Sequence, residues 1–281
     1  MPELQTLMTD IMFGESPRWH DDLLWFSDWD ALEIIAVDLE GKGEVIVRMR
    51  SFPFCIDFLP CGRMLIVSAR DRLLLRREPD GSLVTHTDLS SLSEHPWNDI
   101  VVDGRGNAYV GNIGFEFPEG QFAPGILALV DPDGSARQVA DSLAFPNGIV
   151  VTPDYSTLIL AESYANRLTA FDIAADGSLS NRRVWADLDG GVPDGICLDA
   201  EGAVWYGDVP NKRCVRVREG GEVLQTIDLE RGCFACMLGG VDRRTLFLVV
   251  SEWGGMESTA EEARTGQVLS APAPAPGVGW P

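Results

Sequence analysis

Short apolar runs alternate with polar turns along nearly the whole chain. The segment Val192–Asp208, VPDGICLDAEGAVWYGD, shows the unit most clearly. An apolar strand around Ile196–Leu198 is followed by the turn Asp199–Gly202. A second strand follows around Ala203–Tyr206, with the aromatic and branched residues that suit a pleated sheet. The same pattern recurs as GESPRWHDDLLWFSD from Gly14, FCIDFLPCGRMLIVS from Phe54, PWNDIVVDGRGNAYVG from Pro96, PNGIVVTPDYSTLILA from Pro146 and CMLGGVDRRTLFLVV from Cys236. The copies start roughly 40–50 residues apart, the spacing of propeller blades. One hairpin cannot bury both of its faces, whereas about six arranged radially can. The pattern predicts an all-β, six-bladed β-propeller occupying residues 1–281 as one domain.

The N-terminal segment Met1–Met12 is expected to close the ring by joining the last blade. Two long loops interrupt the short hairpin turns, one at Gly114–Gly125 and one at Gly254–Thr265. Only Ser258–Arg264 carries a weak helical pattern. The Pro/Ala-rich tail at 272–281 reads as extended and poorly ordered, with little capacity to join a core.

One position recurs about five residues before the turn of each copy. Its occupants are Glu15, Cys55, Asn98, Asn147, Asp194 and, approximately, Cys236. In a propeller this position surrounds one end of the central channel, so residues distant in sequence converge. Glu15, Asn98, Asn147 and Asp194 then form a ring of two carboxylates and two amides, a donor set suited to a hard divalent cation. Asn, Asp and Gly are also ordinary turn residues. It is their recurrence at one register that points to a metal.

Composition narrows the function classes. The 281 residues carry a formal charge of −21 and are 45% hydrophobic, which fits a folded globular protein and disfavours nucleic acid as a partner. No window reaches the ~18 apolar residues of a membrane span. MPELQTLMTDIMFGESP lacks the basic and apolar regions of a signal peptide, so the expected compartment is cytoplasmic. Of the six cysteines, Cys55, Cys61, Cys197 and Cys214 lie in or beside strands. Cys233 and Cys236 form a lone C-x-x-C without the βαβ context of a redox motif or the second pair of a zinc site. A Ser-His-Asp hydrolase lacks a G-x-S-x-G elbow, and nucleotide binding lacks both glycine-rich motifs.

The segments GESPRW, PWNDIVVDGRGNAYVG, FPNGIVV, SLSNRRVW and VPDGICLDAEGAVW, in that order, resemble the senescence marker protein / gluconolactonase / luciferin-regenerating-enzyme-like family. The resemblance covers the chain up to its tail. It implies a six-bladed propeller binding one divalent cation, Ca²⁺ or Zn²⁺, with Mn²⁺ or Mg²⁺ as further candidates. It also implies hydrolysis of a small-molecule lactone, commonly a sugar lactone. On this resemblance the metal ligands fall on Glu15, Asn147 and Asp194. Asn98 falls where the family contacts substrate and water, and Glu116 matches a substrate-contacting position by spacing.

The chain also departs from the family. Pro96 stands where sugar-lactone members often carry Arg. Phe54, Phe115, Phe117, Phe145, Phe234 and Trp253 make the candidate loops apolar, although some of them are expected to pack between blades. Both features favour a less polar lactone or ester. The expected base is Asp194, with Asp99 second, and Asn98 orients substrate or water. A propeller phosphotriesterase and a non-enzymatic calcium-binding propeller are the competing readings. Nothing in the sequence sets the oligomeric state.

Overall fold

The computed structural model describes residues 3–254 and 264–279. They form six four-stranded antiparallel sheets. Blade one contains β2 (Gly14–His20), β3 (Leu23–Asp28), β4 (Glu33–Val37) and β5 (Gly43–Arg48). Blade two contains β6 (Phe54–Phe58), β7 (Met64–Ser68), β8 (Leu73–Arg77) and β9 (Leu83–Asp88). Blade three contains β10 (Trp97–Val102), β11 (Ala108–Asn112), β12 (Gly125–Val130) and β13 (Ala136–Leu143). Blade four contains β14 (Pro146–Val151), β15 (Thr157–Glu162), β16 (Arg167–Ile173) and β17 (Leu179–Asp187). Blade five contains β18 (Pro193–Leu198), β19 (Val204–Asp208), β20 (Arg213–Val217) and β21 (Val223–Asp228).

Blade six joins both ends of the chain. Its β22 (Gly232–Gly239), β23 (Thr245–Ser251) and β24 (Gly266–Pro272) are completed by β1 (Gln5–Ile11), which pairs with β24 from Gln5↔Ser270 to Ile11↔Gly266. The six-bladed propeller and its closure by the N-terminal strand are as the repeat pattern leads one to expect. Residues 255–263, which hold most of the second long loop and the weak helical pattern, lie outside the described residues.

Burial follows position in the blade. The first strands β2, β6, β10, β14, β18 and β22 touch one another around the channel, and β6, β10 and β22 are buried along their whole length. Outermost strands such as β5 and β21 are largely exposed. Apolar clusters fill the seams between neighbouring blades. Ile34, Val47, Phe54 and Ile56 pack between blades one and two, and Val150, Ile159, Ile196 and Val204 between blades four and five. All six cysteines are free thiols. Cys197 and Cys236 approach to 3.7 Å across the seam between blades five and six. Among the described residues no helix is long and apolar enough to cross a membrane.

The tail differs from its expected disorder. Ala271, Ala273 and Ala275 are buried, whereas Pro272 and Pro274 are exposed. The alternation of a strand therefore runs on beyond β24. The Ala273 N–H donates to the Arg244 carbonyl at 2.7 Å, and the Ala200 N–H donates to Pro276 O at 2.8 Å. Gly277 bridges Asp199 of blade five. Pro supplies no N–H, so it occupies the outward positions where none is needed.

Ala275 is 1% exposed. Ala275→Asp buries a charge without a partner and is expected to cost about 2 kcal/mol or more. Calorimetry should show the melting midpoint falling by at least ~4 °C. An unchanged midpoint would mean that the tail does not contribute to the folded core.

Candidate functional site

The recurring position of the sequence repeat coincides with breaks in strand register. In β10 the pairing steps from Trp97↔Asn112 to Ile100↔Val110, so Asn98 and Asp99 together oppose Gly111. In β14 it steps from Pro146↔Glu162 to Ile149↔Leu160, leaving Asn147 and Gly148 opposite Ala161. In β18 it steps from Pro193↔Asp208 to Ile196↔Tyr206, leaving Asp194 and Gly195 opposite Gly207. These are β-bulges, which re-aim a side chain out of the sheet's alternation. In β2 the bulge holds Ser16 and Pro17, immediately after Glu15. The strand β6 has no bulge, and its occupant of the position is Cys55.

The glycines that follow Asn147 and Asp194 have a separate task. A Cβ on Gly148 would lie 2.6 Å from Asp194 O, and one on Gly195 would lie 2.5 Å from the Ala235 Cβ. Any side chain there would push the first strands of blades four, five and six apart.

These features bring Glu15, Asn98, Asn147 and Asp194 to one cavity of about 1390 Å³, whose lining also includes Cys55, Asp99 and Ser163. Asn98 Nδ2 donates to Pro146 O at 3.1 Å and contacts Asn147 Oδ1 at 3.4 Å. Asn147 Nδ2 donates to Ser163 Oγ at 3.3 Å, and Ser163 Oγ donates to Pro193 O at 2.6 Å. The Asn147 amide also favours the charged form of Asp194. Glu15 Oε2 accepts the Ser16 N–H at 2.9 Å.

The electrostatics are dominated by crowded acid groups. Burial, and then the charge of Asp194, hold the Glu15 carboxyl well above the usual carboxylate range. Burial, and then Asp99, push Asp194 up to about 8. Beside them, Arg18 Nη2 lies 3.3 Å from Asp99 Oδ1, and Arg18 Nε lies 3.6 Å from Asp57 Oδ1. Arg18 also donates to the carbonyls of Ile100 and Pro17. Asp57 accepts the N–H groups of Val102 and Phe58, both at 2.7 Å, yet burial still raises it to about 7. Arg18, Asp57 and Ser163 were not singled out by the sequence. They sit off the recurring position, and their signal is only that of isolated polar residues in or beside apolar strands.

The donor chemistry fits a divalent cation. Glu15 and Asp194 are hard oxygen donors whose mutual repulsion a cation would relieve, and Asn147 adds an amide oxygen. Among the described residues no group of three or more His, Cys, Asp or Glu is gathered for a metal, so the set depends on its amide. Glu116 is exposed and does not line the cavity, although its spacing had suggested substrate contact. Phe54 is wholly buried in the seam between blades one and two, and Phe115 is also buried. Phe117, Phe145, Phe234 and Trp253 line the cavity.

Residues 13–252 match the family model described as SMP-30/Gluconolactonase/LRE-like region. The chain belongs to this family. Regucalcin of Xenopus laevis is 32% identical over 257 residues, covering 87% of this chain and 84% of that protein. The 6-deoxy-6-sulfogluconolactonase of Pseudomonas putida is 28% identical over 285 residues, covering 96% of this chain and 94% of that one. A luciferin-regenerating enzyme has the same fold, with a TM-score of 0.83 at 19% identity and coverage of 100% of this chain and 98% of that one. The family match begins at Phe13, so it takes in all four residues of the recurring position.

In the chelated protein Asp194 holds its proton far more tightly when folded, near 8, than at its ordinary 3.8. Its stabilising contribution is therefore full below about pH 4 and is lost as the pH rises through about 8. Chelated protein should lose thermal stability across that window. Asp194→Asn should make the loss shallower and should abolish the stabilisation gained on adding Ca²⁺ or Zn²⁺. An unchanged pH slope together with retained cation stabilisation would remove Asp194 from the ligand set.

Proposed function

We propose that this family member is a divalent-cation-dependent hydrolase that opens the ring of a lactone or cleaves a related ester. The observation that carries the reading is the convergence of Glu15, Asn98, Asn147 and Asp194 at one cavity from four different blades. The names of relatives in this family, a sulfogluconolactonase among them, supply the reaction class.

Glu15, Asn147 and Asp194 would hold the cation. Once bound there, a divalent cation supplies Lewis acidity toward a carbonyl oxygen and makes water more acidic. The other tasks belong to the chain. Asn98 is fixed in orientation by its bond to Pro146 O, and its own carbonyl oxygen accepts no hydrogen bond from the described residues. It can therefore accept one from water and aim that water at the substrate carbonyl. Asp194 faces the cavity and takes the proton from the attacking water at its carboxylate. Asp99 is the weaker candidate for this role, because its Oδ1 is committed to Arg18 and to the Ile100 N–H. The tetrahedral adduct then collapses with cleavage of the ring C–O bond, and the proton passes to the departing alkoxide, giving a hydroxy acid.

The test is acid release followed by pH-stat over a panel of sugar and apolar lactones, with Ca²⁺, Zn²⁺ or Mn²⁺ restored after chelation. Turnover should require a cation. Asp194→Ala should abolish both turnover and cation binding. Asn98→Ala should bind the cation and lose roughly 10²-fold in kcat, the usual loss when one positioned polar contact is removed. Hydrolysis retained in Asp194→Ala would overturn the assignment. Turnover of a phosphotriester with none of any lactone would move the reaction to phosphoryl transfer.

A further inference from the structure

Two groups of aromatic side chains contribute to the lining of this cavity. One comes from blades three and four. Phe145 stacks on Tyr164 with ring centroids 4.8 Å apart, and Phe117 meets Phe145 edge to face at 5.0 Å. Phe115 lies behind them, 6.0 Å from Phe145. The other group comes from blades one and six. Phe13 stacks on Trp29 at 5.4 Å and meets Phe234 edge to face at 4.6 Å, while Phe234 contacts Trp253 at 6.1 Å. Trp29 is fixed by the bond from its Nε1 to Phe54 O, at 2.6 Å. Phe117, Phe145 and Tyr164 of the first group and Phe13, Trp29, Phe234 and Trp253 of the second all line the cavity.

The backbone at Phe145 is a second observation at the first of these groups. Phe145 has φ +60°, the left-handed region that bulky residues avoid and that Gly or Asn would occupy with little strain. It immediately precedes Pro146 and Asn147. The chain therefore carries an aromatic ring on a strained backbone two residues before the recurring polar position. Positions of this kind cluster at binding and active sites, although Leu32 and Tyr155 adopt the same region elsewhere in the chain.

The charge of the cavity rules against a second class of substrate. Lys212 and Arg231 are its lining cations among the described residues, against the carboxylates of Glu15, Asp30, Asp99, Asp194, Glu230 and Glu252. A divalent cation would still leave an excess of negative charge, which disfavours an anionic substituent such as a sulfonate or carboxylate.

We infer that the preferred substrate is an uncharged lactone whose ring carries an apolar substituent, held between the Phe145–Tyr164 wall and the Trp29–Phe234 wall. This rests on the hydrolase reading and specifies its substrate class. An alkyl chain entering the cavity loses its water against rings that are already in place, whereas a polyol would leave hydroxyls facing aromatic faces.

The experiment compares kcat/KM for γ-decanolactone, γ-butyrolactone and glucono-δ-lactone, using the metal-supplemented protein. The first two share one ring and differ by a six-carbon chain. γ-Decanolactone should exceed γ-butyrolactone by roughly 100-fold, a part of the gain that burying every methylene would provide. It should also exceed glucono-δ-lactone. Tyr164→Ala alters a half-exposed residue and is not expected to prevent folding, whereas Phe145→Gly relieves the unfavourable φ but empties a buried position, so its melting midpoint is measured before its kinetics. Each should reduce the decanolactone-to-butyrolactone ratio about tenfold. Equal rates for the matched pair, or preference for the sugar lactone, would overturn the inference and leave the hydrolase reading standing. If no lactone is turned over, calorimetric titration decides. Binding of γ-decanolactone that is weakened in Tyr164→Ala supports the apolar site and removes the hydrolase reading, and no preference over glucono-δ-lactone overturns the inference.

Discussion

The channel end gathers more buried acid groups than its own cations can keep ionised. Arg18 lies between Asp57 and Asp99 and is spent largely on them. Glu15 and Asp194 are left to repel one another, and burial removes the water that would screen them. Without a ligand, gathering such groups costs folding free energy. Everything that gathers them is built into the first strands of the blades. Bulges turn Asn147 and Asp194 toward the cavity, and Gly148 and Gly195 let the strands approach closely enough for these side chains to meet.

The periodic part of this arrangement was legible in the chain. Turn glycines and short apolar runs recur with the blade, so the repeat carried both the six-bladed fold and the register of Glu15, Asn98, Asn147 and Asp194. The bulges were not legible. A bulge is a mismatch between two strands, and its signature is divided between Asn98–Asp99 on one strand and Gly111 on the other. Arg18, Asp57 and Ser163 were missed for a related reason. Their roles depend on partners from other blades, as when Ser163 of blade four donates to Pro193 of blade five. Glu116 was matched by spacing alone, within a loop whose path spacing does not determine, and it is exposed and outside the cavity lining.

The tail illustrates the opposite error. Composition reads Pro/Ala repeats as a linker, but alternation is the stronger signal here. Alanines at every second position turn inward and prolines turn outward, so a low-complexity stretch completes a packed edge. The same distinction separates the cavity aromatics. Phe54 lies within a strand and packs into a blade seam, whereas Phe117 and Phe145 lie outside the strands and contribute to the cavity lining.

The placement of β1 has a consequence for assembly. Glu15 lies just beyond the strand that completes blade six, and Asp194 lies in blade five, on the far side of that blade. The two meet only in a finished ring, and the ring is finished only when Gln5–Ile11 pairs with Gly266–Pro272 from the other end of the chain. A partial chain therefore contains the donors but does not hold them together. An ion that requires both carboxylates would bind the closed form alone, so its entire binding free energy would oppose opening of the sheet. Such an ion would act as a clasp between the first and last strands, at a distance from the seam it fastens.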